Sequence, residues 1–199
     1  MSLPPQVLRD ATTGGPPRLR TAVRAGVRDG RLIVRFDARD DGIVATLSHR
    51  DDALWSEDVC EVFLTPLDPP VAYFEFEINP LGALFDARVE SPDLVRATMK
   101  VDVSWNLPGL SGVSRVRPGR WAAVMKIPLA PLVGDSHGLI PARSRRDTEQ
   151  TMPRPWRANF YRVDRGAKDE FSAWAPTGRD PADFHEPRKF GRLRLPEVL

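Results

Sequence analysis

The chain is 199 residues long, 41% apolar and 28% charged, which fits one ordinary globular domain with a single sizeable core. A net charge of +2 from 29 basic and 27 acidic residues, and a lone cysteine, Cys60, exclude an intramolecular disulfide and any paired-cysteine metal or redox motif. No apolar run reaches the ~20 residues of a membrane span. Arginines run along the whole chain with one dense group, Arg143, Arg145 and Arg146, so the composition predicts neither a membrane nor a nucleic-acid partner.

Residues 1–18 are rich in proline and glycine and read as an extended lead-in to a single domain over 19–199. Thr21 to Arg28 alternates weakly, and Asp29-Gly30 is a strong hairpin turn signal. In the following run Leu32, Val34 and Phe36 share one face and Arg31, Arg35 and Asp37 the other, the pattern of an antiparallel strand with one wet side. Asp40-Asp41-Gly42 reads as a turn, with oxygens that could also serve calcium.

Asp58 to Leu64 and Ala72 to Asn79 read as two strands around a proline-rich turn. Paired, they collect Cys60, Val62, Leu64, Phe74, Phe76 and Ile78 on one wholly apolar face. The other face mixes Val59, Phe63 and Tyr73 with Glu61, Glu75, Glu77 and Asn79. Further strands are expected at Leu84 to Val89, Met99 to Trp105, Ser111 to Arg117, Trp121 to Ile127, Ala158 to Val163 and Arg192 to Leu195. A helical turn is expected at Pro128 to Val133, and an irregular loop from Asp135 to Pro155. Twenty prolines and about ten short strands predict an all-β, two-sheet antiparallel β-sandwich of jelly-roll type.

Trp55 and Trp174 lie in polar, loop-like surroundings, where an indole either caps the core or offers a flat face to a ligand. Glu61, Glu75 and Glu77 share a face at the ~5 Å spacing of opposed strand residues. They could accept hydrogen bonds from a ligand, form a glycosidase pair, or make a solvated face. Like charges so close call for a counter-charge, for which Arg88 is the candidate. His49, His137 and His185 stand apart, so no zinc site is expected, and no nucleotide or nucleophile motif is present. Met99, Met125 and Met152 are the methionines that a haem site could draw on.

The segments LWSEDVCEVFLTP and AYFEFEINPLGALFDAR, with the later WRANFYRVD, EFSAWAPTG and FHEPRKFGRLRL, resemble the family 9 carbohydrate-binding modules and their DOMON-like relatives. That resemblance implies a β-sandwich binding a mono- or oligosaccharide without catalysis, its sugar ring clamped between Trp55 and Trp174. Glu61 would hydrogen-bond the sugar hydroxyls, with Asn79 and Arg88 as further polar residues of the site; Glu75 joins them through the strand face it shares with Glu61. The resemblance also implies structural calcium, with no ligand set assigned to it. A haem or redox module of DOMON type and a glycoside hydrolase using Glu61 and Glu75 are the alternatives. No hydrophobic leader opens the sequence, so a secreted or periplasmic location would need a trimmed export signal, the alternative being cytoplasmic.

Overall fold

The computed structural model describes residues 5–139 and 155–193. The Arg143–Arg145–Arg146 group and Met152 lie outside them, as does the end of the expected strand beyond Leu193. Two antiparallel sheets face each other. The first is built from β1 (Gln6–Val7), β3 (Thr21–Arg28), β4 (Arg31–Arg39), β9 (Ser111–Arg117) and β10 (Arg120–Pro128), in the order β1-β3-β4-β10-β9. The second holds β2 (Arg9–Asp10), β5 (Val59–Thr65), β6 (Ala72–Ile78), β7 (Leu84–Glu90), β8 (Lys100–Asp102), β11 (Trp156–Asp164), β12 (Glu170–Ala173) and β13 (Gly191–Leu193). Its order is β2-β12-β11-β5-β6-β7-β8, and β13 pairs with β11 beside the Trp156–Ala158 stretch.

The β3–β4 hairpin closes where Asp29 and Gly30 both take positive φ, 52° and 67°, the backbone that a two-residue turn between right-twisted strands requires. Alternation then divides the side chains. Leu32, Val34 and Phe36 of β4 and Trp121, Ala123, Met125 and Ile127 of β10 point into the sandwich. Cys60, Val62 and Leu64 of β5 and Phe74, Phe76 and Ile78 of β6 meet them, so the apolar face expected from the sequence is the core face. A fully buried Val, Leu, Ile or Phe contributes ~1.5–3 kcal/mol, and these residues are 0–1% exposed. Gly112 lets β9 lie close on this core, since a Cβ there would stand 2.7 Å from Ile78 Cδ1.

Four expectations need correcting. The lead-in is woven into both sheets: β1 pairs with β3, β2 pairs with β12, and Leu8 between them is buried in the core. The helical turn expected at Pro128 to Val133 starts two residues later, since Pro128 ends β10, and it is a longer helix, α1 (Ala130–Leu139), which takes the first residues assigned to an irregular loop. Only Lys100–Asp102 of the expected 99–105 strand pairs with β7, while Glu170–Ala173 is a strand that the pattern did not announce. The mixed face of β5 and β6 is also largely roofed. Leu54, Phe184 and Phe190 pack on Val59, Phe63, Tyr73 and Tyr161 to form a second apolar cluster outside the sheet.

A correction of charge follows from the same alternation. Arg24, Arg28, Arg31, Arg35 and Arg39 of β3 and β4 all have outward parity, as do Arg115, Arg117 and Arg120 of β9 and β10. Arginines dispersed in the sequence are therefore concentrated on one face of the first sheet.

Candidate functional site

The outer face of the second sheet carries rows of side chains set by strand register. One row runs Ala173–Tyr161–Glu61–Glu77–Phe85 across β12, β11, β5, β6 and β7. The next runs Asn159–Phe63–Glu75–Ala87. Glu61 and Glu77 are thus direct cross-strand partners, and Glu75 lies diagonally beside them.

Above these rows lies a cavity of about 440 Å³. Glu61 and Glu75 reach it from the sheet, with Phe63 and Phe85 beside them, and Arg96, Asp183, Phe184 and His185 reach it from the connecting segments. Trp55 lines it from a single 3-10 turn, Leu54–Ser56, whose Leu54 is buried and holds the turn to the sheet. The indole is 45% exposed and braced edge-to-face on Phe85, at 5.1 Å between ring centres. The preceding segment is tied down by Glu57, whose carboxylate accepts hydrogen bonds from the Thr46 and Leu47 amides at 2.6 and 3.2 Å.

Burial holds the Glu61 carboxyl well above its ordinary range, and the neighbouring Glu75 adds to this. Glu77 is raised by burial first, then by Glu61 and Glu75, and neither of its oxygens has a hydrogen-bond partner of normal geometry. Glu75 is pushed up to about 7 by burial, with the positive charge of Arg96 pulling the other way. Among the described residues no arginine or lysine forms an ion pair with any of the three. The one basic group within 4 Å is His185, with Nε2 3.9 Å from a Glu75 oxygen. Burial, and then Arg96, drives His185 down to about 4, so its ring is neutral near pH 7; its Nδ1 lies 2.7 Å from the Tyr73 hydroxyl. Three like charges cannot all persist in so dry a place. The trio must keep protons or take a cation, and its oxygens, all within 4.8 Å of one another, could share one ion. The Asp40–Asp41 pair does not fit calcium in the same way. Asp40 is held by Arg162 at 2.8 Å and Asp41 by Arg18, so both carboxylates already have their counter-charges.

The model of carbohydrate-binding family 9 matches residues 17–195. The chain belongs to that family. A carbohydrate-binding candidate from Bacteroides uniformis ATCC 8492 shares the fold at a TM-score of 0.69 and 19% identity, over 98% of this chain and 87% of that one. A family 9 module from Caldicellulosiruptor kristjanssonii, solved with cellotriose, has a TM-score of 0.61 and 12% identity, over 97% and 82%. The glucose complex of a family 9 module from the same organism gives 0.59 and 10%, over 95% and 83%. No curated protein matches the chain.

Within this family 9 fold, the structure gathers Trp55, Glu61 and Glu75 at one cavity and sends the other three candidates elsewhere. Trp174 follows β12 directly, and its amide bonds the Phe160 carbonyl at 2.8 Å. It therefore shares the inward parity of Phe160, packs on the inter-sheet core, and lies over Gly191, where a Cβ would stand 2.4 Å from the ring. Asn79 is fully buried and serves the turn after β6: its Oδ1 accepts from the Leu81 and Ala83 amides, and its Nδ2 donates to the Leu47 carbonyl. Arg88 has the parity of Phe74, on the opposite face of the sheet from the glutamates, and faces Asp102 at 3.5 Å. It is not their counter-charge; Arg96 is the nearer cation, felt by Glu75.

Sequence reasoning missed Arg96, Asp183, Phe184 and His185, which come from irregular segments, and Phe171, which also lines the cavity. The hint available for Phe171 was its two-residue spacing from Ala173, which marks a shared face once 170–173 is read as a strand. Of the methionines weighed for haem, Met125 is core, and Met99 lies on the second apolar cluster with its sulfur 3.4 Å from the Tyr73 hydroxyl.

Proposed function

We propose that this protein binds a mono- or oligosaccharide, without turning it over, in the cavity beside Trp55. The carrying observation is a half-exposed indole, rigidly braced on Phe85, next to carboxylates with no cationic partner. A sugar ring has an apolar C–H face and a rim of hydroxyls. The first suits Trp55 and the second suits Glu61 and Glu75 as acceptors, with Arg96 as a donor. In this reading the wall facing Trp55 is Phe171 and Phe184, and Trp174 supports the fold behind it. The carboxyls favour binding over hydrolysis: burial raises all three, so none is held ionised as the nucleophile or base that a glycosidase pair needs.

Stacking on an aromatic face is worth ~1–3 kcal/mol in the comparable case of nucleobases. Trp55→Ala should therefore weaken binding about ten- to a hundredfold. Calorimetric titration with glucose and β-1,4-linked gluco-oligosaccharides, alongside melting of the variant, reads this directly. A stable Trp55→Ala protein with undiminished sugar affinity would remove the cavity from the argument.

A further inference from the structure

The outer face of the first sheet, on the far side of the sandwich from the Trp55 cavity, carries a feature that sugar binding at that cavity does not use. Strand register places Arg39, Arg120 and Arg117 in one row across β4, β10 and β9, and Arg20, the residue before β3, extends it, its carbonyl accepting from the Arg39 amide at 2.9 Å. All four are exposed, and none forms an ion pair among the described residues. The next row on this face is Ala22–Asp37–Ala122–Arg115, and the one after it contains Arg24 and Arg35. The two alanines make a low floor between arginine walls, and the trough encloses about 530 Å³. Among the described residues Asp37 is the one acidic residue in its lining, and it is already engaged by Arg24 at 3.0 Å and Arg35 at 2.6 Å. The whole chain is only +2, so this face concentrates positive charge on an otherwise acidic protein.

We infer that this trough binds an acidic polysaccharide, a chain of uronate units whose carboxylates pair with the arginine forks. Three observations favour that occupant. The cations are arginines, whose planar forks match a carboxylate by two parallel hydrogen bonds, where lysine would offer a point charge. On β3 and β4 the walls, Arg20 with Arg39 and Arg24 with Arg35, lie four residues apart, so the trough is ~13 Å across there; it runs on transverse to the strands beside Arg120 and Arg117, a bed for a single polymer chain. Within the row the arginines repeat every ~4.8 Å, the distance between neighbouring strands, giving a regular ladder of positive charge. The alternatives lack their recognition elements here. Among the described residues no aromatic side chain is exposed in the trough to stack single-stranded bases, Trp121 being 1% exposed, and no helix lines it to enter a duplex groove. A membrane surface would meet a concave floor of alanine with no interfacial aromatic.

The test is titration with polygalacturonate over a series of salt concentrations, for the wild type and for the combined variant Arg39→Gln, Arg117→Gln, Arg120→Gln. These three side chains are exposed, so the variant should melt like the wild type. Expected are salt-sensitive binding by the wild type and at least tenfold weaker binding by the variant. Its slope of log affinity against log salt should also flatten by about two to three. Affinity for a neutral oligosaccharide should be unchanged, so this inference and the reading of the Trp55 cavity can fail separately. The inference is overturned if the wild type ignores polygalacturonate at low salt, or if the variant binds it equally well. Equal or tighter binding of a DNA duplex or of phosphatidylserine vesicles would overturn it too.

Discussion

The buried glutamates make stability depend on pH in a direction that can be worked out in advance. In the unfolded chain a glutamate titrates near 4.5, whereas Glu75 in the fold is pushed up to about 7 and Glu61 and Glu77 are also raised. Between those values the unfolded chain has already released a proton that the folded one keeps. Stability is therefore full below about pH 4.5 with respect to these groups and falls as pH rises through about 7. One pKa unit is about 1.4 kcal/mol, so Glu75 alone takes away ~3 kcal/mol across the window. For a domain near this size that is a drop of ~6–12 °C in Tm.

Glu77→Gln removes the middle charge and keeps the shape. With one like charge fewer, the variant should lie closest to the wild type near pH 5 and exceed it by ~1–2 kcal/mol at pH 8, a fraction of the Glu75 figure. The assay is thermal and urea unfolding of both proteins from pH 5 to 8. Asp58, raised to about 6 mainly by burial, sets a background of the same sign in both and cancels in the difference. Parallel pH profiles would refute the reasoning. So would a wild type that is stabilised at pH 8 by millimolar calcium and weakened by chelator, because a cation would then hold the trio instead of protons.

Phe76→Ala should cost ~3–5 kcal/mol in urea unfolding, since its ring is 0% exposed in the inter-sheet core. Arg162→Met should cost a similar ~3–5 kcal/mol, because it strands Asp40 and Asp164, which the guanidinium holds at 2.8 and 2.5 Å with all three side chains about 1% exposed. Gly191→Val should lower Tm and shift the tryptophan emission, since its side chain must displace the Trp174 ring. An unchanged spectrum and Tm would mean that the ring does not rest there. A panel of chromogenic glycosides should show no turnover; hydrolysis lost in Glu61→Gln or Glu75→Gln would make the trio catalytic.

The sandwich was legible because its signal is local and redundant. Val62, Leu64, Phe74, Phe76 and Ile78 keep one parity through two strands, and a slip of one residue in either would bury glutamates in the core. Half of the candidate site could be read on the same principle, since Glu61 and Glu75 follow from parity and Trp55 from the turn before β5. Trp174 could not be placed, because β12 is four residues long and Phe171-Ser172-Ala173-Trp174 gives no alternation. Its side is set by pairing with β11, a long-range event. His185 and Phe184 reach the cavity from a proline-rich stretch with no period at all, held by contacts such as the stacking of Phe184 on Tyr161 at 4.2 Å.

The arginine face is a different kind of miss, because its signal was present in the sequence. Arg20, Arg24 and Arg28 recur every four residues, and so do Arg31, Arg35 and Arg39. On a helix that interval turns a side chain slightly past its neighbour; on a strand it returns each one to the same face. The hairpin turn at Asp29-Gly30 fixes the register so that Arg24 lands opposite Arg35 and Arg28 opposite Arg31. Like charges set directly across a strand pair are unfavourable. A fold gains nothing by stacking them on an outer face where any neutral polar residue would serve. That cost is borne here in a sheet whose inner face is largely apolar, and Asp37 relieves only the middle pair. Average charge along the chain hides such a pattern, whereas charge counted by strand face exposes it. The same count separates the two sheets: acceptors without cations on the outside of one, and cations with a single acid on the outside of the other.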